Sequence, residues 1–265
     1  MIITSFLQKR RTVRDFKDQD LKKEDLAQVL KAIEDLNKEE EGLDFILFEN
    51  GQLIYEGLKG KAGYNGVMIQ APHYIALKNA KEGNDFQLTT GYYLEKINTQ
   101  LVNMDLGTCW ITLDSVDDQT KGQLFGDKGQ DIDYIIGLGY AKKQVLFDAQ
   151  SVTPRHPVDE IVYKDEFGQA VDLVDLENLG LDDVFGSIRF APSHKNSQPW
   201  RFLLEDGKVT IYMVDNAEKE KNLVDMGVIM YYFEELAKTK GVHNTWEPVE
   251  GPLAEGFIPL AEFKL

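Results

Sequence analysis

Two stretches of this chain echo one another. Gly91 and Trp110 bracket a segment of the same length as the one between Gly227 and Trp246. Leu88, Tyr92, Ile97 and Leu101 predict a helix from about Phe86 to Met104, and Leu223, Met226, Met230, Phe233 and Ala237 predict a second long helix. Ahead of each lies a further echo. Phe45-Ile46-Leu47-Phe48, the dipeptide Asn50-Gly51 and Leu53-Ile54-Tyr55 predict a hairpin. Phe202-Leu203-Leu204, Asp206-Gly207 and Val209–Val214 predict another, since Asn-Gly and Asp-Gly supply the positive φ of a tight turn. A helix precedes each hairpin, marked by Leu26, Val29, Leu30 and Ile33 in the first case and by Val184, Phe185 and Ile188 in the second. This ordered match of helix, turn, helix and tryptophan favours internal duplication over a chance likeness of two α–β units. The offset between the echoes shortens along the chain, and the difference is assigned to Gly60–Ala80. Its buried strand, Ala71–Leu77, then has no counterpart in the second half. Two such halves can pack as an internal dimer.

Composition narrows the function. The 265 residues carry 29 Lys+Arg against 45 Asp+Glu, a formal charge of −16, with 43% hydrophobic residues. That is the balance of a globular chain long enough for one large domain or two small ones. Phosphate backbones repel such a surface, so nucleic acid is an unfavoured partner. The longest apolar runs, Tyr134–Leu138 and Val228–Phe233, fall far short of the roughly 20 residues of a membrane span. Met1-Ile2-Ile3-Thr4 does not begin a signal peptide, and a cytoplasmic location is expected. A lone cysteine, Cys109, excludes an internal disulfide and a cysteine-rich metal site, and reads as a packed core thiol beside Trp110. His73, His156, His194 and His243 show no metal-ligand spacing, so no metal is expected.

Against this acidity, Lys9-Arg10-Arg11-Thr12-Val13-Arg14 stands out as a run of cations. It reads either as a solvated patch or as an anion site, because arginine forks match phosphate oxygens. Lys38–Glu41 is a charge run, most simply a solvated connection. Ala191-Pro192-Ser193-His194-Lys195-Asn196-Ser197-Gln198-Pro199-Trp200, between a helix and a strand, is rich in turn-forming and hydrogen-bonding groups. It is either a polar connector or a reader of an aromatic ligand's ring atoms. Gly137-Leu138-Gly139 follows a strand, Tyr134–Tyr140, but lacks a third glycine, and Lys142-Lys143-Gln144-Val145 opens no apolar-periodic helix. A dinucleotide fingerprint is not expected there.

Together these motifs resemble the FMN-dependent nitroreductase family. Arg10-Arg11-Thr12-Val13-Arg14-Asp15-Phe16 is similar to its N-terminal signature and Asn196-Ser197-Gln198-Pro199-Trp200 to its second. Leu106-Gly107-Thr108-Cys109-Trp110 resembles the helix-to-loop passage beneath the flavin, and Pro154-Arg155-His156-Pro157-Val158-Asp159-Glu160 the closing arginine motif. In the family the first two signatures lie close together in one subunit of a dimer. Here they are far apart, and each half retains what the other lacks. The resemblance therefore implies a fused, internally duplicated pseudo-dimer. Its fold would be α+β and nitroreductase-like, a mixed, mainly antiparallel sheet flanked by helices. The two pseudo-symmetric halves would divide near Asp165, as 1–165 and 166–265, the second lacking one strand segment, in one compact unit.

The same resemblance implies one FMN per chain. Arg10, Arg11, Thr12, Arg14 and Arg155 would hold its phosphate and ribityl chain. Pro192, Ser193, His194 and Asn196 would approach from the second half, and Trp110, Ile111 and Thr112 would pass the redox edge of the ring. Asn65 sits near a polar ring contact. The implied activity is passage of hydride from NADH or NADPH through flavin N5 to a small-molecule acceptor such as a nitroaromatic or quinone. No catalytic acid or base is assigned. The alternative is a non-enzymatic FMN- or nucleotide-binding protein with one surviving site. A monomer, as an internal pseudo-dimer, is expected rather than an obligate dimer.

Overall fold

A computed structural model describes residues 5–126, 129–142, 154–251 and 256–265. The elements run α1 (Phe6–Lys9), α2 (Lys23–Glu39), β1 (Leu43–Phe48), α3 (Gly51–Leu58), β2 (His73–Asn79), α4 (Gly83–Asn103), β3 (Gly107–Thr112), α5 (Asp118–Phe125) and β4 (Tyr134–Gly139). They continue with α6 (Val158–Ile161), β5 (Val162–Lys164), α7 (Leu173–Leu179), α8 (Asp182–Ile188), β6 (Trp200–Glu205), β7 (Lys208–Val214), α9 (Lys219–Lys238), β8 (Glu247–Pro248) and β9 (Phe257–Lys264). Among the described residues no helix is long and apolar enough to cross a membrane.

The strands form two sheets, in the orders β1-β2-β4-β3 and β5-β6-β7-β9-β8. Every pairing is antiparallel except β5 with β6. Apart from β5, the second sheet repeats the order of the first, with β6, β7, β9 and β8 in the places of β1, β2, β4 and β3. The fold is thus the expected α+β architecture, mixed and mainly antiparallel. Because β4 pairs antiparallel on both sides, Gly137-Leu138-Gly139 does not open a βαβ unit. Lys143-Gln144-Val145 lie outside the described residues.

Three expectations are corrected. Asn50-Gly51 is not a hairpin turn but the start of α3, where the Asn50 side chain accepts the Leu53 N–H at 3.2 Å. Gly51 is required there by a close approach, since a Cβ would lie 2.3 Å from the carbonyl oxygens of Ala71 and Pro72. Second, the second half lacks no strand: β7 stands where β2 does. What it lacks is the long β1–β2 connection with α3, which the two-residue turn Asp206-Gly207 replaces, pairing Glu205 with Lys208. Third, Lys38–Glu41 is largely solvated, as expected, but is not simply a connection. It begins inside α2, with Lys38 bonded to Glu34 and Glu39 bonded to Lys96.

By contacts the chain divides into a C-terminal unit (Met1–Arg10, Gly83–Tyr93 and Gln150–Leu265) and an N-terminal unit (Arg11–Glu82 and Leu94–Ala149). This is not a single cut near Asp165, since α1 and the first part of α4 group with the second half of the chain. The N-terminal unit packs Phe16, Ile54, Leu58, Tyr74, Cys109, Ile111 and Ile135 in one core. The C-terminal unit centres on Phe233, whose ring packs against Phe185, Phe202, Trp246 and Phe263 at 5.1–5.8 Å between centroids.

Within the C-terminal unit, α4 and α9 cross at backbone contact. A Cβ on Gly91 would lie 1.9 Å from the Val224 carbonyl oxygen, and one on Gly227 would lie 2.1 Å from that of Leu88. Each glycine meets the residue three places before the other, the reciprocity of an isologous contact between paired halves. We expect Gly91→Val and Gly227→Val each to cost about 3 kcal/mol or to prevent folding, the upper end for overpacking, because the obstacle is backbone. Gly186→Ala, in α8 with nothing within 4 Å of its Cβ, should instead gain about 0.5–1 kcal/mol. Urea denaturation midpoints test both, and a Gly91→Val chain as stable as the parent would refute the close crossing.

Candidate functional site

The sequence-predicted site residues fall into two sets, one in each unit. In the N-terminal unit, the Val13 N–H donates to the Thr108 carbonyl at 2.8 Å, laying the segment alongside the edge strand β3. Phe16 is buried and bridges to Ala141, whereas Arg11 and Arg14 are exposed and Thr12 is half-buried. Arg14 lines a polar cleft of about 820 Å³ together with Lys17, Asp18, Asp20, Glu49 and Gln52.

Leu106–Trp110, expected as a helix-to-loop passage, leads instead into strand β3, which also holds Ile111 and Thr112. Three residues, Met104, Asp105 and Leu106, link α4 to β3, and β-branched Thr108, Ile111 and Thr112 extend the chain against β4. Trp110 packs on Tyr134 at 5.7 Å, and its indole Nε1 is buried without a hydrogen-bond partner. The Thr112 carbonyl accepts the Gly63 N–H at 2.9 Å, docking the turn Tyr64–Gly66 on the end of β3. Asn65 stands in that turn at φ +52°.

The C-terminal unit gathers Arg10, Arg155, Pro192, Ser193, His194 and Asn196. Arg10 ends α1, its N–H on the Phe6 carbonyl at 2.8 Å. The arginine motif and the Asn-Ser-Gln-Pro-Trp loop are hydrogen-bonded to each other. Asn196 Nδ2 donates to the Pro154 carbonyl at 2.8 Å, and Gln198 Oε1 accepts the His156 N–H at 3.0 Å. Arg155 was expected with the first half of the chain; its contacts place it here. The reason is local: β5, which follows at Val162, pairs with β6, which follows the loop.

The loop is held in an unfavourable conformation. Lys195, Asn196 and Gln198 take φ of +49°, +58° and +48°, a region that costs non-glycine residues energy. Asp225, on α9, opposes that cost. Its two oxygens accept the His194 N–H at 3.0 and 2.9 Å, and the Ser197 side chain also bonds it. Ser193 Oγ accepts the Gln198 N–H at 3.0 Å. Asp225 is only 6% exposed, and burial pushes its carboxyl up to about 8 against these hydrogen bonds.

Polar groups near the loop remain unspent. Arg155 Nη1, Asn196 Oδ1 and Arg189 Nε are buried without a partner. Burial also lowers the Arg155 guanidinium from its ordinary range. Such atoms are costly unless something bonds them. They are what a ligand bearing both an anion and a polar ring would use, so these residues fit FMN.

Residues 2–237 match the family described as "Putative TM nitroreductase". The chain belongs to this nitroreductase family. Among solved structures it is similar to a "putative nitroreductase" from Thermotoga maritima, at 19% identity over 99% of this chain and 93% of that one, with a TM-score of 0.63. That likeness shows the same fold along nearly the whole of both chains. An FMN-dependent nitroreductase from Clostridium difficile is 24% identical over 54% of this chain and 90% of its own, with a TM-score of 0.43. Nitroreductase A from Vibrio parahaemolyticus is 17% identical over 70% and 86%, with a TM-score of 0.48. No curated protein matches the sequence significantly.

Asp225, Gln198 and Arg189 join the loop's hydrogen-bond network without having been singled out as site residues. Gln198 lies within the quoted motif, so its signal was present; Asp225 had only the weak signal of a carboxylate on an apolar helix face. A pH dependence follows from Asp225. The folded chain binds this proton more tightly than the unfolded chain, so stability falls as pH rises from about 4 towards 8, by at most about 1.4 kcal/mol per pH unit. Asp225→Asn should flatten that part of the profile in urea denaturation measured across this range. A variant as steep as the parent would assign the slope to another group.

Proposed function

We propose that this nitroreductase-family chain binds one FMN and is a flavin-dependent oxidoreductase using NADH or NADPH. The observation that carries the reading is the Arg155–Asn196 cluster. It joins a half-buried guanidinium, whose Nη1 is buried without a partner, and an unpaired amide oxygen to the motifs that resemble the family's flavin contacts. Bound FMN would accept hydride and pass it to a small oxidised acceptor such as a nitroaromatic or quinone.

The protein's part is binding and orientation. Arg10, Arg11, Arg14 and Arg155 would supply charge-assisted bonds to the phosphate, and Thr12 a hydroxyl. Pro192, Ser193, His194 and Asn196 would meet the ring from a loop whose shape Asp225 maintains. The Trp110–Thr112 strand would present an edge held by β-sheet pairing, which limits its freedom to shift as ligands exchange. No side chain is assigned as proton donor.

Purified protein should be yellow, with a flavin spectrum and one FMN per chain by extraction. The double substitution Arg10→Ala/Arg14→Ala should leave it nearly colourless, since each charge-assisted contact is worth roughly 1.5–3 kcal/mol. Asn196→Ala should weaken binding more moderately. NAD(P)H oxidation with a panel of acceptors then tests turnover. Protein that takes up no flavin from excess FMN refutes the proposal, and a fully loaded but inert protein would make it a binding protein only.

A further inference from the structure

The two sheets treat the same edge differently. In the second sheet β5 covers β6 in parallel, with Val162 opposite Phe202, Tyr163 opposite Leu203 and Lys164 opposite Leu204. In the first sheet β1 holds the place of β6, with β2 on one side and, among the described residues, no strand on the other. β1 reads Leu43-Asp44-Phe45-Ile46-Leu47-Phe48, rich in strand-forming residues, with one charge and no proline. An open edge of that composition is a template for a further strand.

A side chain occupies the position. Asn37, in the last turn of α2, turns its amide onto the main chain of Phe45. Its Oδ1 accepts the Phe45 N–H at 2.7 Å, and its Nδ2 donates to the Phe45 carbonyl at 3.1 Å. Those are the two bonds that one residue of an adjoining antiparallel strand would exchange with Phe45. The same Nδ2 reaches Asp44 Oδ1 at 3.3 Å, tying down the one charge of the strand. Main-chain groups alternate in direction along a strand, so Leu43 and Leu47 face the same way as Phe45. The Leu43 N–H goes to the Glu40 carbonyl at 3.4 Å, whereas among the described residues Leu47 has no loop or side-chain partner. Asn37 therefore stands at the centre of the edge, with Leu47 still open beside it.

We propose that Asn37 guards this edge: its amide holds the place of a strand and keeps β1 from pairing antiparallel with β1 of a second copy. A two-fold pair of that kind would satisfy both edges at once, which is why the occupant held off is another copy of this chain. The inference is independent of the flavin reading, since none of these residues is given a flavin contact. Net negative charge opposes association, but salt screens it beyond about 10 Å, so the contact is decided at the edge itself.

Parent and Asn37→Ala are compared by sedimentation velocity over rising protein concentration and by hydrogen exchange resolved along β1. In dilute solution the variant should exchange its Phe45 amide about 2- to 10-fold faster, the range for one lost hydrogen bond. At high concentration it should form dimers that the parent does not, with the Phe45 and Leu47 amides becoming protected together. Added salt should strengthen those dimers, because copies of charge −16 repel. Adding Leu47→Pro removes an N–H that the second strand would bond, at an edge position where proline is tolerated, and should abolish them. Dimers that survive this second change in a folded chain would overturn the proposal. So would a parent that dimerises through β1, or a variant that keeps the parent's size and unprotected β1 amides at every concentration. Should the double variant unfold, concentration-dependent protection of Phe45 and Leu47 in Asn37→Ala decides alone. If Asn37→Ala itself does not fold, Asn37→Ser is judged by the same outcomes.

Discussion

The contact on which the C-terminal unit depends is the crossing of α4 and α9 at Gly91 and Gly227. At this distance no side chain fits on either helix, so the two backbones themselves form the interface. What surrounds the crossing is correspondingly specific. The Tyr92 hydroxyl donates to Glu234 at 2.6 Å, and its ring meets Tyr231 edge-on at 5.4 Å. Val224, touched by Gly91, precedes Asp225 directly. The crossing therefore sets the position of the carboxylate that clamps His194 and Ser197, and that clamp sets the loop that bonds Pro154 and His156. A change at the glycines would reach the arginine motif through a short series of linked contacts, each of them local.

The same crossing explains how much of the fold was legible. Gly91 and Gly227 stood out in the sequence because their spacings to Trp110 and Trp246 agree, and the structure gives the glycines themselves a physical cause: reciprocal contact requires glycine in both helices. The long helices and the strands at Phe45, Tyr134 and Phe202 were legible from apolar periodicity, which burial enforces. The Asn50-Gly51 turn was misread because asparagine is as good a helix N-cap as a turn residue, and only the long-range approach of Ala71 and Pro72 decides between them. That error carried into the placing of the missing segment. With α3 read as a strand, β2 seemed surplus, although β2 and β7 hold the same place in their sheets.

The site was legible where it lies in a contiguous motif and obscure where it does not. Arg155 and Asn196 belong to short runs with their own signature. Asp225 acts from a helix whose sequence reads as core, and nothing local marks a carboxylate there as functional. Its role exists only because burial strips its water and the His194 N–H lies opposite. Arg189 lies two residues before Ala191-Pro192 and looks like any helix-ending cation, a type favoured at that position for the helix dipole alone. Leu106–Trp110 was expected as a passage from helix to loop because of the family likeness, but three β-branched residues among the six of Gly107–Thr112 favour a strand.

Charge distribution gives the last step. At the loop, Lys195 is already spent on Glu218 at 3.0 Å. Such exposed pairs contribute little to stability, but they cancel local field. Had Lys195, adjacent to Asn196, stayed free, an anion would find a diffuse positive surface with no preferred geometry. With it neutralised, the uncompensated positive charge described beside this loop is that of arginines, among them Arg155, Arg189 and Arg201. An anion held there would be selected by guanidinium fork geometry rather than by net charge. For a protein of formal charge −16 that distinction matters, because its long-range field repels anions and only a short-range, desolvated contact can hold one.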